Sequence, residues 1–305
     1  MLAASRAVRS GLLFAAARGI SLAPIMKYPR VLGLLVTLAV LAASLLLAQH
    51  TAREADSNSI GTPNWTVDPA FKKDVFTFVR IQYSSHYRGS RRAGRWDTDF
   101  PDSDLNFSWR LQQMTSLKVD PNARYLELTD PALFDFPWIY IVEPGRLEFS
   151  DEEVSILRNY LLNGGFLMVD DFWGEVQWQN FYEQIKRVFP EYEPKELPMD
   201  HPIFRCVFDL SRMQKNDLQI PNIQQGIWAE RTHVTWERHD GEECREVHFR
   251  AILDDRQRMM VMICHNTDNG DGWEREGESE YYFHEFSEKK AYPLGINIVF
   301  YAMTH

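Results

Sequence analysis

The chain is poor in cysteine. Cys206, Cys244 and Cys264 are its only three among 305 residues, and no two are spaced as CxxC. That pattern disfavours a disulfide framework and a thiolate zinc site, leaving one structural bridge as the most an oxidising compartment would add. Gly-x-Ser-x-Gly, a cysteine nucleophile elbow, GxxxxGK and GxGxxG are all missing, so elbow hydrolases, phosphate loops and dinucleotide folds lose their usual signatures. A basic surplus is also lacking. With 33 Lys and Arg against 43 Asp and Glu the net charge is −10, which argues against a nucleic-acid partner.

A further absence lies near the N-terminus, where no charged residue occurs between Arg30 and Arg53. As a helix, the apolar run Val31 to Ala48 would be about 27 Å long, enough to cross the hydrocarbon layer of a bilayer. Arg6, Arg9, Arg18, Lys27 and Arg30 precede it while Glu54 and Asp56 follow, so the positive-inside rule leaves the N-terminus in the cytoplasm and exports the rest. Residues 1–30 therefore read as a cytoplasmic leader and 31–50 as a transmembrane or signal segment. Leu46-Leu47-Ala48 is a tolerable signal-peptidase site, and Met26 is an alternative start to Met1. The reading is a cell-membrane protein anchored through this helix, or a periplasmic or secreted one if the leader is cleaved. Residues 51–74 then read as a linker and 75–305 as one α/β domain, whose 45% apolar content suffices for a sizeable core.

The clearest local instruction is SDEEVSILRNYLLNGGFLMVDDFWG, from Ser150 to Gly174. Ser150 and Glu153 make a capping box, Val154, Leu157 and Leu161 an apolar stripe, and Asn163-Gly164-Gly165 a helix exit. Phe166 to Val169 is then a buried strand with Asp170 and Asp171 at its carboxyl end, where open α/β sheets place ligand crevices. Strands are also expected at Val75 to Tyr83, Tyr125 to Leu128, Trp138 to Val142, Ile227 to Val234, Val247 to Leu253 and Met259 to Cys264, the later ones partly antiparallel. Helices are expected from Asp102 or Ser103 to Thr115 and from Val176 to Phe189, with a closing segment Tyr292 to Met303. This alternation predicts a mainly parallel sheet with helices on both faces.

The loop after the first strand carries Arg88, Arg91, Arg92, Arg95, Trp96, Asp97, Asp99, Asp102 and Asp104. In a parallel sheet that loop shares a rim with Asp170 and Asp171, so both charge blocks are expected to face the pair across one crevice. Asp99, Asp102, Asp170 and Asp171 are the candidate ligands for a divalent cation such as Mg²⁺ or Ca²⁺, while the arginines suit an anionic ligand. Caps and solvated loop charges are the alternative, and at most one of Asp170 and Asp171 should look into the crevice, because adjacent strand residues point to opposite faces. His201 in Asp200-His201-Pro202 is a candidate base or a hydrogen-bonded turn residue. Asn266 to Trp273, NTDNGDGW, has the composition of a calcium loop without its ligand spacing and reads as a turn. Cys264 and His265 diverge along a strand and do not make a nucleophile pair. Trp96, Trp173 and Trp273 either stack on a ligand or anchor loops.

TFVRIQY, WDTDFPDSDLNFSWRLQQMT, DPALFDFPWIYIVEPG, the Ser150 stretch, DHPIF and PLGINIVFYAMTH, in this order, resemble a bacterial domain of unknown function, number 4159, over about Phe76 to His305. The resemblance implies a flavodoxin-like three-layer domain akin to class I glutamine amidotransferases and trehalose-utilisation proteins. It strengthens Arg80, Asp99, Asp102, Asp170, Asp171, His201 and Asn297 as candidates, with Arg95, Trp96 and Trp173 beside them on the crevice argument. Where the amidotransferases carry a cysteine, this chain has Asp170-Asp171-Phe172-Trp173-Gly174, so glutaminase chemistry is not implied. The segment Arg231 to Glu246 is longer and more charged than the family pattern and carries no assigned role. Three functions remain in view: an exported domain binding a small polar ligand or a protein partner; a metal-assisted hydrolase of cell-envelope sugars or peptides, with His201 as base; and a structural partner domain.

Overall fold

The structure, a computed structural model, describes residues 51–57, 61–71, 74–85, 95–237 and 241–305. The leader and apolar span expected over residues 1–50 lie outside them, as do Arg88, Arg91 and Arg92. Among the described residues no helix is long and apolar enough to cross a membrane.

Seven strands form one sheet in the order β2-β1-β3-β4-β7-β6-β5: β1 (Val79–Gln82), β2 (Arg124–Glu127), β3 (Trp138–Val142), β4 (Phe166–Asp170), β5 (Lys195–Glu196), β6 (His248–Leu253) and β7 (Met259–His265). The first five in spatial order pair in parallel, while β6 runs antiparallel to both β7 and β5. Every residue of β3, β4 and β7 is buried, as continuous apolar runs require when both faces of a sheet are covered. Alternate strand residues feed separate cores. Phe78, Trp138, Tyr140, Phe166 and Met168 join one, and Val79, Ile81, Ile139, Leu167 and Val169 the other, the two-residue period of a strand made visible.

Helices α1 (Asp102–Met114), α4 (Ile223–Thr232), α5 (Asn269–Glu274) and α6 (Tyr292–Thr304) supply the first core, and α2 (Asp151–Leu162) and α3 (Gly174–Val188) the second. Before α6 runs a nine-residue π-helical stretch, Phe283–Ala291, which the sequence reading does not contain. The capping box of α2 is present: Glu153 N–H donates to Ser150 Oγ at 3.2 Å and Ser150 N–H to Glu153 Oε2 at 2.7 Å, worth about 1 kcal/mol. Gly164, at φ 108°, makes the left-handed exit that lets the chain turn straight into β4.

Two expectations are corrected. Ile227 to Val234 is not a strand but lies mostly in α4, because Asn222 caps a helix there, its side chain accepting from Gln225 N–H at 3.0 Å. Residues 51–57 and 61–71 do not stand clear of the domain as a bare linker would. Arg53 donates to the carbonyls of Pro121, Thr62 and Pro63 at 2.8 to 2.9 Å, and Trp65 donates to Val119 O at 2.8 Å while packing on Trp109.

Candidate functional site

Sheet order reverses at β1 and β3: from β1 the chain crosses to β2 on one side, then returns to β3 on the other. Loops leaving the carboxyl ends on either side of such a point splay apart and leave a crevice. Here the crevice is a cavity of about 550 Å³ whose walls include Asp99 from the loop after β1, Glu143 after β3, Asp171 after β4, and Asp268 and Asp271 after β7. Glu237, Asn222 and Ile223 close it from the α4 side, and Arg95 and Arg275 are its two cations.

Each carboxylate is aimed by a specific device. Arg80 is fully buried and spends its whole guanidinium on the loop that carries Asp99: on Asp104 (Nη2 to Oδ1, 2.5 Å), on Ser103 Oγ (2.8 Å), and on the carbonyls of Trp96 (2.9 Å) and Thr98 (2.8 Å). Tyr83 donates to the carbonyls of Val142 and Glu143 at 2.8 and 2.7 Å, pinning the exit of β3. Asp170 is sealed in the core and accepts from Asn269 N–H (2.8 Å), Asn269 Nδ2 (2.7 Å), Gly270 N–H (3.2 Å) and the Tyr140 hydroxyl (3.0 Å). It thereby fixes the turn that presents Asp268 and Asp271. Asp171, only 7% exposed, turns the other way into the cavity, with Trp173 Nε1 on its Oδ1 at 3.0 Å.

The backbone pays for this convergence. Asp99, Glu143 and Asp171 have φ between 46° and 61°, the left-handed region that costs a non-glycine residue of order 1 kcal/mol or more. Three such residues at one rim show that side-chain direction there overrides backbone comfort.

Charge is the distinctive feature. Oxygens of Asp99, Asp171 and Asp268 lie within 4.8 Å of one another, and so do those of Asp99, Asp271 and Glu274. At that separation two ionised carboxylates repel by about 3.5 kcal/mol with an effective dielectric of about 20. The protein answers by holding protons. Burial first, then neighbouring carboxylates, push Asp99, Asp171 and Asp268 well above the usual carboxylate range, and burial lifts Glu143 and Glu274 to about 7. Asp170 rises only to about 6, because its hydrogen bonds offset the burial. The second triad has a counter-charge, since Arg275 Nε sits 2.6 Å from Glu274 Oε2 and 3.4 Å from Asp271 Oδ1. The first has none in direct contact among the described residues, and Asp99 Oδ2 is buried without a hydrogen-bond donor.

Of the sequence candidates, Asp99, Asp171, Arg95 and Trp173 line the crevice. Others are committed elsewhere. Arg80 is buried scaffold, as above. Asp102 is buried and accepts from Ser57 Oγ at 2.5 Å. Trp96 stacks on Tyr125 with ring centroids 5.3 Å apart. Asn297 is buried and binds the backbone of Val207 and Phe208 at 2.8 to 3.0 Å. His201 accepts from Ile203 N–H at 3.3 Å as a cap and packs on Tyr301, so it is no base for this site. Asp170 holds the Asn269–Gly270 turn and is not among the residues that line the cavity. Sequence reasoning missed Glu143, Glu237, Asp268, Asp271 and Arg275. Cys264 is fully buried with its thiol pushed up by that burial, and no cysteine is among the residues that line the crevice.

No curated protein matches the chain significantly. A family model does, over residues 77–303, a span that takes in all seven strands and every wall of the crevice: the chain belongs to the family described as Domain of unknown function (DUF4159).

Proposed function

We propose that the strand-end crevice binds a divalent cation through Asp99, Asp171 and Asp268, and through that cation a small polar ligand. One observation carries this reading: the half-buried Asp99 and the buried Asp171 and Asp268 bring carboxylate oxygens to one point, where no arginine or lysine among the described residues pairs with them. Oxygens within 4.8 Å of one another are close enough to share one ion, whose oxygen ligands lie about 2.3–2.6 Å away for Ca²⁺ and about 2.0–2.1 Å for Mg²⁺. An all-oxygen donor set suits such hard ions and not zinc or copper. The order β2-β1-β3-β4-β7 supports a flavodoxin-like reading of the parallel part of the sheet. The amidotransferase likeness extends on this reading to topology alone, since Asp170 and Asp171 stand where a cysteine would. Placement of the domain outside the cytoplasm, by the apolar stretch before residue 50, is part of the same proposal and would make Ca²⁺ abundant around it.

Hydrolysis is the second reading, favoured by Glu143. Its carboxyl lines the cavity and is lifted to about 7, close to the value at which a general base works best near neutral pH. In that case Glu143 takes the proton of a water whose acidity the cation raises.

Equilibrium dialysis of the purified full-length chain against Ca²⁺, Mg²⁺ and Mn²⁺ tests the proposal. Roughly one ion per chain in the parent, and at least tenfold weaker binding in Asp171→Asn and Asp268→Asn, is the expected result. No uptake of any of the three, or uptake indifferent to both substitutions, would defeat it.

A further inference from the structure

Taking the cation reading as its basis, we propose that the ligand of this crevice carries an oxyanion, a phosphate or carboxylate group, held between the triad's cation and the guanidinium groups of Arg275 and Arg95.

The two carboxylate triads share Asp99, the arrangement that in a two-metal site would seat an ion on each side of a bridging carboxylate. Only one side is open. Arg275 occupies the other, its Nε on Glu274 and Asp271 and its Nη1 on Glu278 Oε1 at 3.0 Å. A guanidinium therefore stands where a second cation would, one bridging aspartate away from the first. Arg275 Nη2 has no partner among the described residues, and the side chain, 32% exposed, lines the cavity. From another wall comes Arg95, paired through Nε with Glu143 and 61% exposed, with its terminal nitrogens unpartnered among the described residues. Guanidinium N–H groups left over in this way match the oxygens of carboxylate and phosphate groups. Asp99 Oδ2, buried and without a hydrogen-bond donor among the described residues, leaves the shared carboxylate with acceptor capacity that a cation would use.

Order of binding follows from the charge count. Six carboxylates and two guanidinium groups line the cavity, so an anion entering without the cation meets a negative surplus. With the cation in place its oxygens meet positive charge on two or three sides. Anion affinity should therefore depend on the metal, whereas metal affinity should not fall when either arginine is removed.

Isothermal titration calorimetry on the full-length chain tests this with inorganic phosphate and with acetate, each with and without saturating Mg²⁺. At least one anion should bind with Mg²⁺ present and at least tenfold more weakly without it. Preference for phosphate over acetate identifies a phosphoryl ligand, and the reverse a carboxylate one. Arg275→Met and Arg95→Met should each weaken the anion at least fivefold while leaving Mg²⁺ affinity undiminished. Arg275 also neutralises its own triad, so Arg95→Met, at the exposed rim, keeps the test decisive if the other variant misfolds. Mg²⁺ binding with neither anion, anion binding that ignores Mg²⁺, or anion affinity unchanged in the folded arginine variants would overturn the inference while leaving the cation site standing. No Mg²⁺ binding at all, together with none of Ca²⁺ or Mn²⁺ in the dialysis, would remove both.

Discussion

Replacing Asp171 by asparagine should make the cation-free protein more stable, the reverse of what deleting a buried hydrogen-bonded side chain ordinarily does. The substitution is nearly isosteric. Asparagine tolerates the left-handed backbone at this position (φ 55°) better than most residues, and its Oδ1 can still accept from Trp173 Nε1. What is lost is one charge from a triad whose oxygens lie within 4.8 Å. Two pair repulsions of about 3.5 kcal/mol each set a ceiling of about 7 kcal/mol. The realised gain is smaller, because the cluster already escapes part of the repulsion by holding protons. A relief of about 2 kcal/mol corresponds to one or two pK units of linkage and raises the melting temperature of a domain this size by about 4–8 °C. Added cation should then reverse the ranking. At a hundredfold excess over its dissociation constant a ligand of the folded state stabilises by about 2.7 kcal/mol, which the parent should gain and the variant should largely forgo. Differential scanning calorimetry at pH 7.5, with chelator and then with 5 mM Ca²⁺, reads both halves. A variant that melts below the parent in chelator, or that shifts with Ca²⁺ as far as the parent does, would refute the charge argument.

Asp170→Asn should behave in the opposite manner, losing about 2–4 kcal/mol in urea unfolding whether or not cation is present, because an amide nitrogen would face donors that now meet a carboxylate; a variant of parental stability would show that the Asn269 turn holds itself. Gly270→Ala should fold with near-parental stability yet bind the cation at least tenfold more weakly in equilibrium dialysis, since its new Cβ would overlap Asp99 Oδ2 and that flexible side chain would swing aside. Unchanged affinity would place Asp99 outside the ligand set. For pH, the folded state raises the carboxyls of Glu143 and Glu274 to about 7 from about 4.3 in the unfolded chain. The stability that these groups contribute is fully present below about 4.3 and is lost as pH rises through about 7. The cation-free urea midpoint should therefore fall between pH 5.5 and 8 and recover with Ca²⁺, and a rise over that interval without cation would contradict the sign.

Much of this architecture is written locally. Ser150, Glu153 and the Gly164 exit place α2 and deliver the chain to β4, and the all-apolar runs of β3, β4 and β7 announce a sheet covered on both faces. The misreading of Ile227 to Val234 has a physical cause: the apolar pattern of α4 begins at Ile223, behind the Asn222 cap, and continues through Gly226 and Ala229. A window opened at Ile227 sees β-branched and aromatic residues without the cap that makes them helical. In the crevice the sequence gives away the residues of β4 and the loop after β1. Asp268 and Asp271 were hidden because NTDNGDGW invites comparison with a calcium loop, whose spacing it lacks, when its relevant property is to follow a buried strand. Glu143 follows β3 in the same way. Strand-end position, applied to every strand, would have found all three, whereas Glu237 and Arg275 enter from outside the parallel strands and carry no such signal.

The adjacent aspartates explain why the site is assembled from distant stretches of chain. Asp170 is the last residue of β4, and Asp171 leaves it in the left-handed conformation, so neighbouring carboxylates diverge. One goes down into the core and the other out into the crevice. The inward one then grips Asn269 and Gly270, about 100 residues onward, and that grip brings Asp268 beside Asp171. A structural carboxylate thus recruits a third carboxylate to the cluster, next to Asp171 and the loop that Arg80 holds in place around Asp99. If only stability were at stake, apolar residues at these positions would serve it better, since burying like charges together costs free energy that Arg275 offsets only at Asp271 and Glu274. An arrangement that uses buried hydrogen bonds to hold repelling groups together makes physical sense when a cation completes it.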